Sequence, residues 1–295
     1  MPKNPHGPAL AELRRQEHSR RRGRRGRRGR AALLVVVLAV AVAGWLGVRH
    51  LIDSIRMPQC TITAGGMTET FDPEQTGNAA LIAAVSMKRG LPPRAATIAI
   101  TTAYQESKIR NIRFGDRDSL GLFQQRPSQG WGTPSQILDP VYATNAFYDA
   151  LVKFKGYESA DITKIAQWVQ RSGFPEAYRD HEGQGRVLAS TLTGHSAAGV
   201  SCRLDEATTH AAPADVAADL TAQMGVTKVV PGDGVLTVTG SDARQAWAIA
   251  HWAVARAETY GITRVTIGKR AWDRGSRKTG WSDGAASQTV TISLR

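Results

Sequence analysis

The chain of 295 residues is short of several things. It has two cysteines, Cys60 and Cys202, and no more. Its seven histidines are scattered, and no His, Cys, Asp and Glu cluster has the spacing of a metal site. No Ser-His-Asp or Cys-His arrangement stands out, which argues against the common nucleophile-base hydrolases. Neither a metal nor a cofactor is expected. No internal repeat appears, so a solenoid is excluded. Acidic residues are outnumbered, 25 against 38 Lys and Arg. Long hydrophobic runs are missing too, with one exception at 31–48.

The excess of positive charge is local. Residues 1–30 hold eleven Lys or Arg against Glu12 and Glu17, which puts +9 of the net +13 in the tail. The remaining chain carries only +4, so this is a basic tail on a nearly balanced body. The tail precedes AALLVVVLAVAVAGWLGV at 31–48, an uncharged stretch about as long as a membrane crossing. Arginines on its N-terminal side predict a single pass with 1–30 cytoplasmic and 57–295 outside. Trp45 lies near the outer end, where an interfacial aromatic is favoured. The alternative is a cleaved signal peptide, with Ala41-Val42-Ala43 as the small-x-small site. Both readings export the body. The arginine tail is expected to touch anionic lipid of the inner leaflet, and no nucleic acid partner is expected.

In an exported chain an even pair of cysteines predicts a disulfide, here Cys60 to Cys202. Closing so long a loop is worth up to ~5 kcal/mol on the chain-entropy estimate. It would also mark 57–203 as one domain. Residues 57–70 read as extended. Asp72-Pro73 is a helix start, Gly90 a stop, and Pro93 opens a second helix ending at AYQES. A long polar, glycine-containing stretch follows. Helices then start at Asp139-Pro140 and Asp161, with a last one over EGQGRVLASTLTG. Residues 204–234 read as a linker with a short helix at 214–224. The segment 235–295 alternates strand, helix, strand, strand, a small α+β domain. Four tryptophans fall there: Trp247 and Trp252 in core positions on the helix, and Trp272 and Trp281 near loops, where they suit either a core or carbohydrate stacking.

AYQES delivers Glu106 to the end of an apolar helix. Ala99 and Ala103 share its face, so the acid lies on or beside the buried stripe. Desolvation there favours the protonated form, which a general acid at neutral pH requires. The competing reading is a solvated terminal acid neutralised by Lys108 and Arg110.

A helix ending in Glu106-Ser107, followed after a polar loop by Ser119-Leu120-Gly121-Leu122-Phe123-Gln124, resembles the lysozyme-like fold of lytic transglycosylases and goose-type lysozymes. DPVYATNAFYDAL, with Asn145, resembles the helix below the cleft in that family. IAQWVQRSGFPEAY stands where the family has Ala-Tyr-Asn-Ala-Gly. The resemblance covers about 73–193. It implies a mainly α, lysozyme-like domain, after one transmembrane helix and before the α+β domain. It implies a peptidoglycan-cleaving enzyme acting on the β-1,4 bond between N-acetylmuramic acid and N-acetylglucosamine, with the glycan strand as partner. Glu106 would be the catalytic acid. Ser119, Gly121, Gln124, Gln125, Tyr104 and Asn145 would line the substrate. Gln170-Arg171-Ser172 replace the family's Tyr-Asn-Ala, so the helping tyrosine must come from Tyr178 or Tyr104. Ordinary glycosidases need a second carboxylate. Asp116 and Asp118 are the candidates, or else they order their own loop with Arg113 or Arg117. The alternative to an enzyme is an inactive wall-binding or scaffold protein, or a domain of a secretion or transfer complex.

Overall fold

The computed structural model describes residues 38–48, 57–170, 175–276 and 280–294. The chain divides into two units, 1–57 and 58–295.

In the first unit, 38–48 are helical and largely exposed. Among the described residues no helix is long and apolar enough to cross a membrane. Eleven residues at 1.5 Å rise reach only about 16 Å, roughly half a hydrocarbon core. The expected transmembrane helix at 31–48 is therefore corrected to a helical stretch over 38–48. Residues 31–37 and the basic tail 1–30 lie outside the described residues.

The second unit opens with a hairpin, β1 (Gln59–Ala64) and β2 (Met67–Phe71), in the segment expected to be extended. Asp72 then caps α1 (Pro73–Lys88) in a reciprocal box with Gln75. Pro93 opens α2 (Pro93–Ser107), which ends in a left-handed cap at Lys108. The polar stretch contributes the short α3 (Pro134–Ile137), entered through a second capping box at Thr133. Next come α4 (Pro140–Leu151), capped by Asp139, and α5 (Ile162–Gln170). A 3-10 turn, Pro175–His181, runs directly into α6 (Glu182–Leu192). Strand β3 (Val200–Arg203) then returns to β1, giving an antiparallel sheet in the order β2-β1-β3. Cys60 and Cys202 stand opposite each other in that register and form the disulfide expected from the cysteine pair.

The stretch expected as a linker holds α7 (Pro213–Met224) and β4 (Val229–Pro231). After it come β5 (Val235–Thr239), α8 (Ala243–Ala255), α9 (Ala257–Tyr260), β6 (Ile262–Ile267), β7 (Arg270–Asp273) and β8 (Thr289–Leu294). The second sheet is antiparallel throughout, in the order β4-β5-β8-β6-β7. A mainly α fold class is thus overturned. The chain is about 47 % helical with two antiparallel sheets, a mixed α/β fold. The strands of the first sheet come from both ends of the region 59–203, since β3 pairs with β1.

Helix α1 is the centre. Its residues from Thr76 to Ser86 are all buried, as expected of a helix surrounded by others. It packs against α2, α4 and α6, and also against α7 and α8. Leu220, Met224 and Trp252 therefore share one core with Ile82, Ile98 and Phe147. The tryptophans serve this joint. Trp252 Nε1 donates to Gln223 at 2.9 Å, Trp272 Nε1 to the Cys202 carbonyl at 3.1 Å, and Trp281 Nε1 to the Val200 carbonyl at 2.8 Å. Trp247 packs edge-on against Trp281. Trp272 and Trp281 thus hold β3.

Candidate active site

Glu106 sits one residue before the end of α2, half-buried, one turn beyond the fully buried Ala103. The backbone after it is strained. Lys108 and Ile109 both have positive φ, 56° and 58°, a conformation a β-branched residue rarely adopts. The surroundings hold it in place. Gln75 Nε2 donates to the Lys108 carbonyl at 3.0 Å, and Asn78 Nδ2 to the Ile109 carbonyl at 2.8 Å. The Arg110 guanidinium bonds Asp72 and, at 2.6 Å, Glu74. The first two turns of α1 thus fix where the helix carrying Glu106 stops. Arg110 is thereby turned to α1.

The Tyr178 hydroxyl donates to Glu106 Oε1. Tyr178 is 1 % exposed and lies on the 3-10 turn Pro175–His181. At three residues per turn, Tyr178 and His181 fall on the same side of that turn. His181 accordingly reaches α2 as well, its ring 4.5 Å from that of Tyr104. Lys108 Nζ lies 3.4 Å from His181 Nε2 and 4.9 Å from the centre of the Tyr104 ring. His181 Nδ1 lies 3.1 Å from Gln184 Oε1, an acceptor, which assigns the proton to Nδ1 and leaves Nε2 to accept from Lys108. Burial lowers the His181 pKa and the Lys108 charge lowers it further, against the Gln184 hydrogen bond. One short turn is therefore clamped to the end of α2 at two points, and one of them is the acid.

The glycine-containing loop after α2, closed into a hairpin-like turn at Leu120 and Gln125, is tied to the same helix end. The Ser107 hydroxyl donates to the Leu122 carbonyl at 2.7 Å. Leu120 and Gln125 exchange backbone hydrogen bonds at 2.9 and 3.0 Å, which closes the turn between them. Gly121 has φ of +76°, and a Cβ there would lie 2.7 Å from the Ile137 carbonyl. Its absent side chain is explained by the turn and by α3. At Gly115 a Cβ would lie 1.8 Å from Gln124 Oε1 and 2.9 Å from Ser119 Cβ, so Ser119 and Gln124 close around that glycine. Gln124 Nε2 also donates to the Phe114 and Gly121 carbonyls, each at 3.3 Å. Gln125 is 1 % exposed and its Nε2 donates to the Ala143 carbonyl at 3.1 Å, which makes it a strut between hairpin and α4.

The other expected residues go elsewhere. Asn145 faces α1: Arg89 Nη1 donates to its side-chain oxygen at 3.1 Å. Asp118 accepts from the Ser128 backbone N–H at 2.8 Å, from Arg126 Nε at 2.7 Å and from the Ser128 hydroxyl at 3.0 Å. Those bonds, the Ser128 N–H first, hold its carboxyl well below the usual carboxylate range. Asp116 is largely exposed, with Arg117 Nε 3.9 Å away. Asp118 therefore orders its loop, through Arg126 and Ser128 rather than Arg113 or Arg117. Arg171, Ser172 and Gly173 lie outside the described residues. Sequence reasoning named Tyr178 as one of two candidates and missed His181. The Tyr-x-x-His spacing brings the two side chains together only if the segment is helical, and composition does not announce the 3-10 turn found here.

Among the described residues no group of three or more His, Cys, Asp or Glu could hold a metal ion. The arrangement offers one carboxyl, positioned by a buried phenol, with Ser107 and a strained helix end behind it. That is equipment for proton transfer. No protein-family model matches the chain, and no curated protein matches it.

Proposed function

We propose that this protein cleaves the glycan of peptidoglycan, with Glu106 transferring the proton. The observation that carries the reading is the Tyr178 hydroxyl on Glu106 Oε1. It supplies the helping tyrosine that the lytic-transglycosylase resemblance requires and that Gln170-Arg171-Ser172 lack. The tether from Ser107 to Leu122 supports it as well, since it joins the two motifs that carry the resemblance.

Glu106, protonated, gives its proton to the oxygen of the β-1,4 bond between N-acetylmuramic acid and N-acetylglucosamine. The carboxylate then takes a proton from the incoming nucleophile. Asp118 is engaged by Arg126 and Ser128 and Asp116 is largely exposed, so the mechanism we favour uses Glu106 as its one carboxylate. The nucleophile we favour is the muramic acid 6-hydroxyl, whose attack on C1 gives a 1,6-anhydro end. Tyr178 fixes the carboxyl rotamer throughout. Peptidoglycan lies outside the cytoplasm, and we place the body there. The Cys60–Cys202 disulfide supports that compartment.

The test is digestion of purified peptidoglycan by the full chain and by Glu106→Gln, with mass spectrometry of the products. The wild type should release muropeptides with anhydro ends. The variant should lose roughly 10² to 10⁴ in rate, the usual worth of a general acid. Equal release by both, or none by either, refutes the catalytic reading. Products without anhydro ends would replace the 6-hydroxyl by water.

A further inference from the structure

An open groove of about 740 Å³ lies over α4 and α5, and its lining includes neither Glu106 nor Tyr178. That volume is in the range of small-molecule sites. Three aromatic side chains line it, Trp131, Tyr142 and Trp168, together with Gln129, Asp149 and Lys153. The rings are held although the groove is open. Trp168 is 43 % exposed, yet its ring packs edge-on against Phe154 at 5.4 Å. Tyr142 is pressed against the backbone of Gly132, where a Cβ would lie 2.7 Å from its hydroxyl. Trp131 packs on the hydrophobic core. At the rim Asp149 is fixed by Arg89 at 2.6 Å, while Lys153 is exposed.

We propose that this groove binds a run of N-acetylated hexosamine rings, using Trp131, Tyr142 and Trp168 as stacking platforms and Gln129, Asp149 and Lys153 for the hydroxyl and acetamido groups. A pyranose offers a flat face of C–H bonds and an equatorial rim of polar groups. Held tryptophan and tyrosine rings match the first at little entropy cost, and a mixed polar rim matches the second. A lipid chain would want an apolar lining without the acid and the amine. A nucleic acid would want several cations along its backbone, and here the lining holds one, Lys153. The inference deepens the proposed function by naming where the glycan strand is held, in a groove that neither Glu106 nor Tyr178 lines.

The probe is tetra-N-acetylchitotetraose, and the readout is intrinsic tryptophan fluorescence of the full chain. Saturable binding is expected. Trp168→Ala should weaken it at least tenfold with unchanged far-ultraviolet circular dichroism. Lys153→Glu, at an exposed position, serves as the second variant and should weaken binding severalfold. No saturable binding, or Trp168→Ala binding like the wild type, overturns the proposal. So does binding of a proline-rich decapeptide in place of the tetrasaccharide. A wild type that binds the tetrasaccharide but releases no muropeptide would refute the proposed function and leave the groove standing.

Discussion

Removing the Tyr178 hydroxyl tests the site without assuming its chemistry. Tyr178→Phe keeps the ring, which is 1 % exposed, so no cavity of consequence opens. What is lost is a hydrogen bond to a carboxyl group. Such bonds contribute about 1.5–3 kcal/mol, and the half-buried Glu106 places this one near the lower end, at about 1.5 kcal/mol. For a domain of this size the melting temperature should fall by about 3–6 °C. Glu106→Gln keeps an acceptor for the phenol and should cost less. The double variant should show a coupling of about 1 kcal/mol, measured by guanidinium denaturation of the wild type, both single variants and the double variant. In the digestion assay, losing about 1.5 kcal/mol of positioning corresponds to roughly a tenfold slower rate. Additivity within about 0.3 kcal/mol would refute the reasoning. It would mean that the 3-10 turn is held by His181 and packing alone.

Three further outcomes follow from the same contacts. His251 is fully buried: Gly199 N–H donates to its Nε2 at 3.1 Å, and its Nδ1 donates to the Thr191 carbonyl at 2.8 Å. Burial lowers its pKa to about 4, so the folded state keeps it neutral while the unfolded chain takes up a proton below about 6.5. Stability should therefore fall between pH 6.5 and pH 4, by up to ~3 kcal/mol, and the slope should be flatter in His251→Gln; equal slopes in denaturation series would refute this. For His181, an NMR titration should give a midpoint below the ordinary imidazole value, moving upward in Lys108→Met as the neighbouring charge goes; an unmoved midpoint would break the link between the two. Asp118→Asn should leave muropeptide release far above the roughly 10²-fold loss of a catalytic group, whereas a loss of that size would make Asp118 a second carboxylate after all.

How much of this was legible in the sequence can be argued element by element. The helix starts were, because Asp72-Pro73, Pro93 and Asp139-Pro140 act locally through caps and a preset φ. The disulfide followed from counting cysteines and from an expected compartment. Strands β4 and β7 were not legible: three and four residues long, they carry no period. The fold class failed for a related reason. Strands β1 and β3 pair across a separation of 142 residues, and no local pattern records a partner that distant. The expected membrane span is not found among the described residues, where no helix is long and apolar enough to cross a membrane.

At the site, the sequence by itself determined that an acid ends an apolar helix and that a glycine turn follows. Those are properties of neighbours along the chain. Only the tertiary structure decided that Tyr178 meets Glu106, that Asn145 turns to Arg89, and that Asp118 spends its charge on Arg126 and Ser128. Each of these contacts depends on the angle at which one element lands on another. That angle is set by the packing of α1 and the strained turn at Lys108 and Ile109, where many distant residues act together.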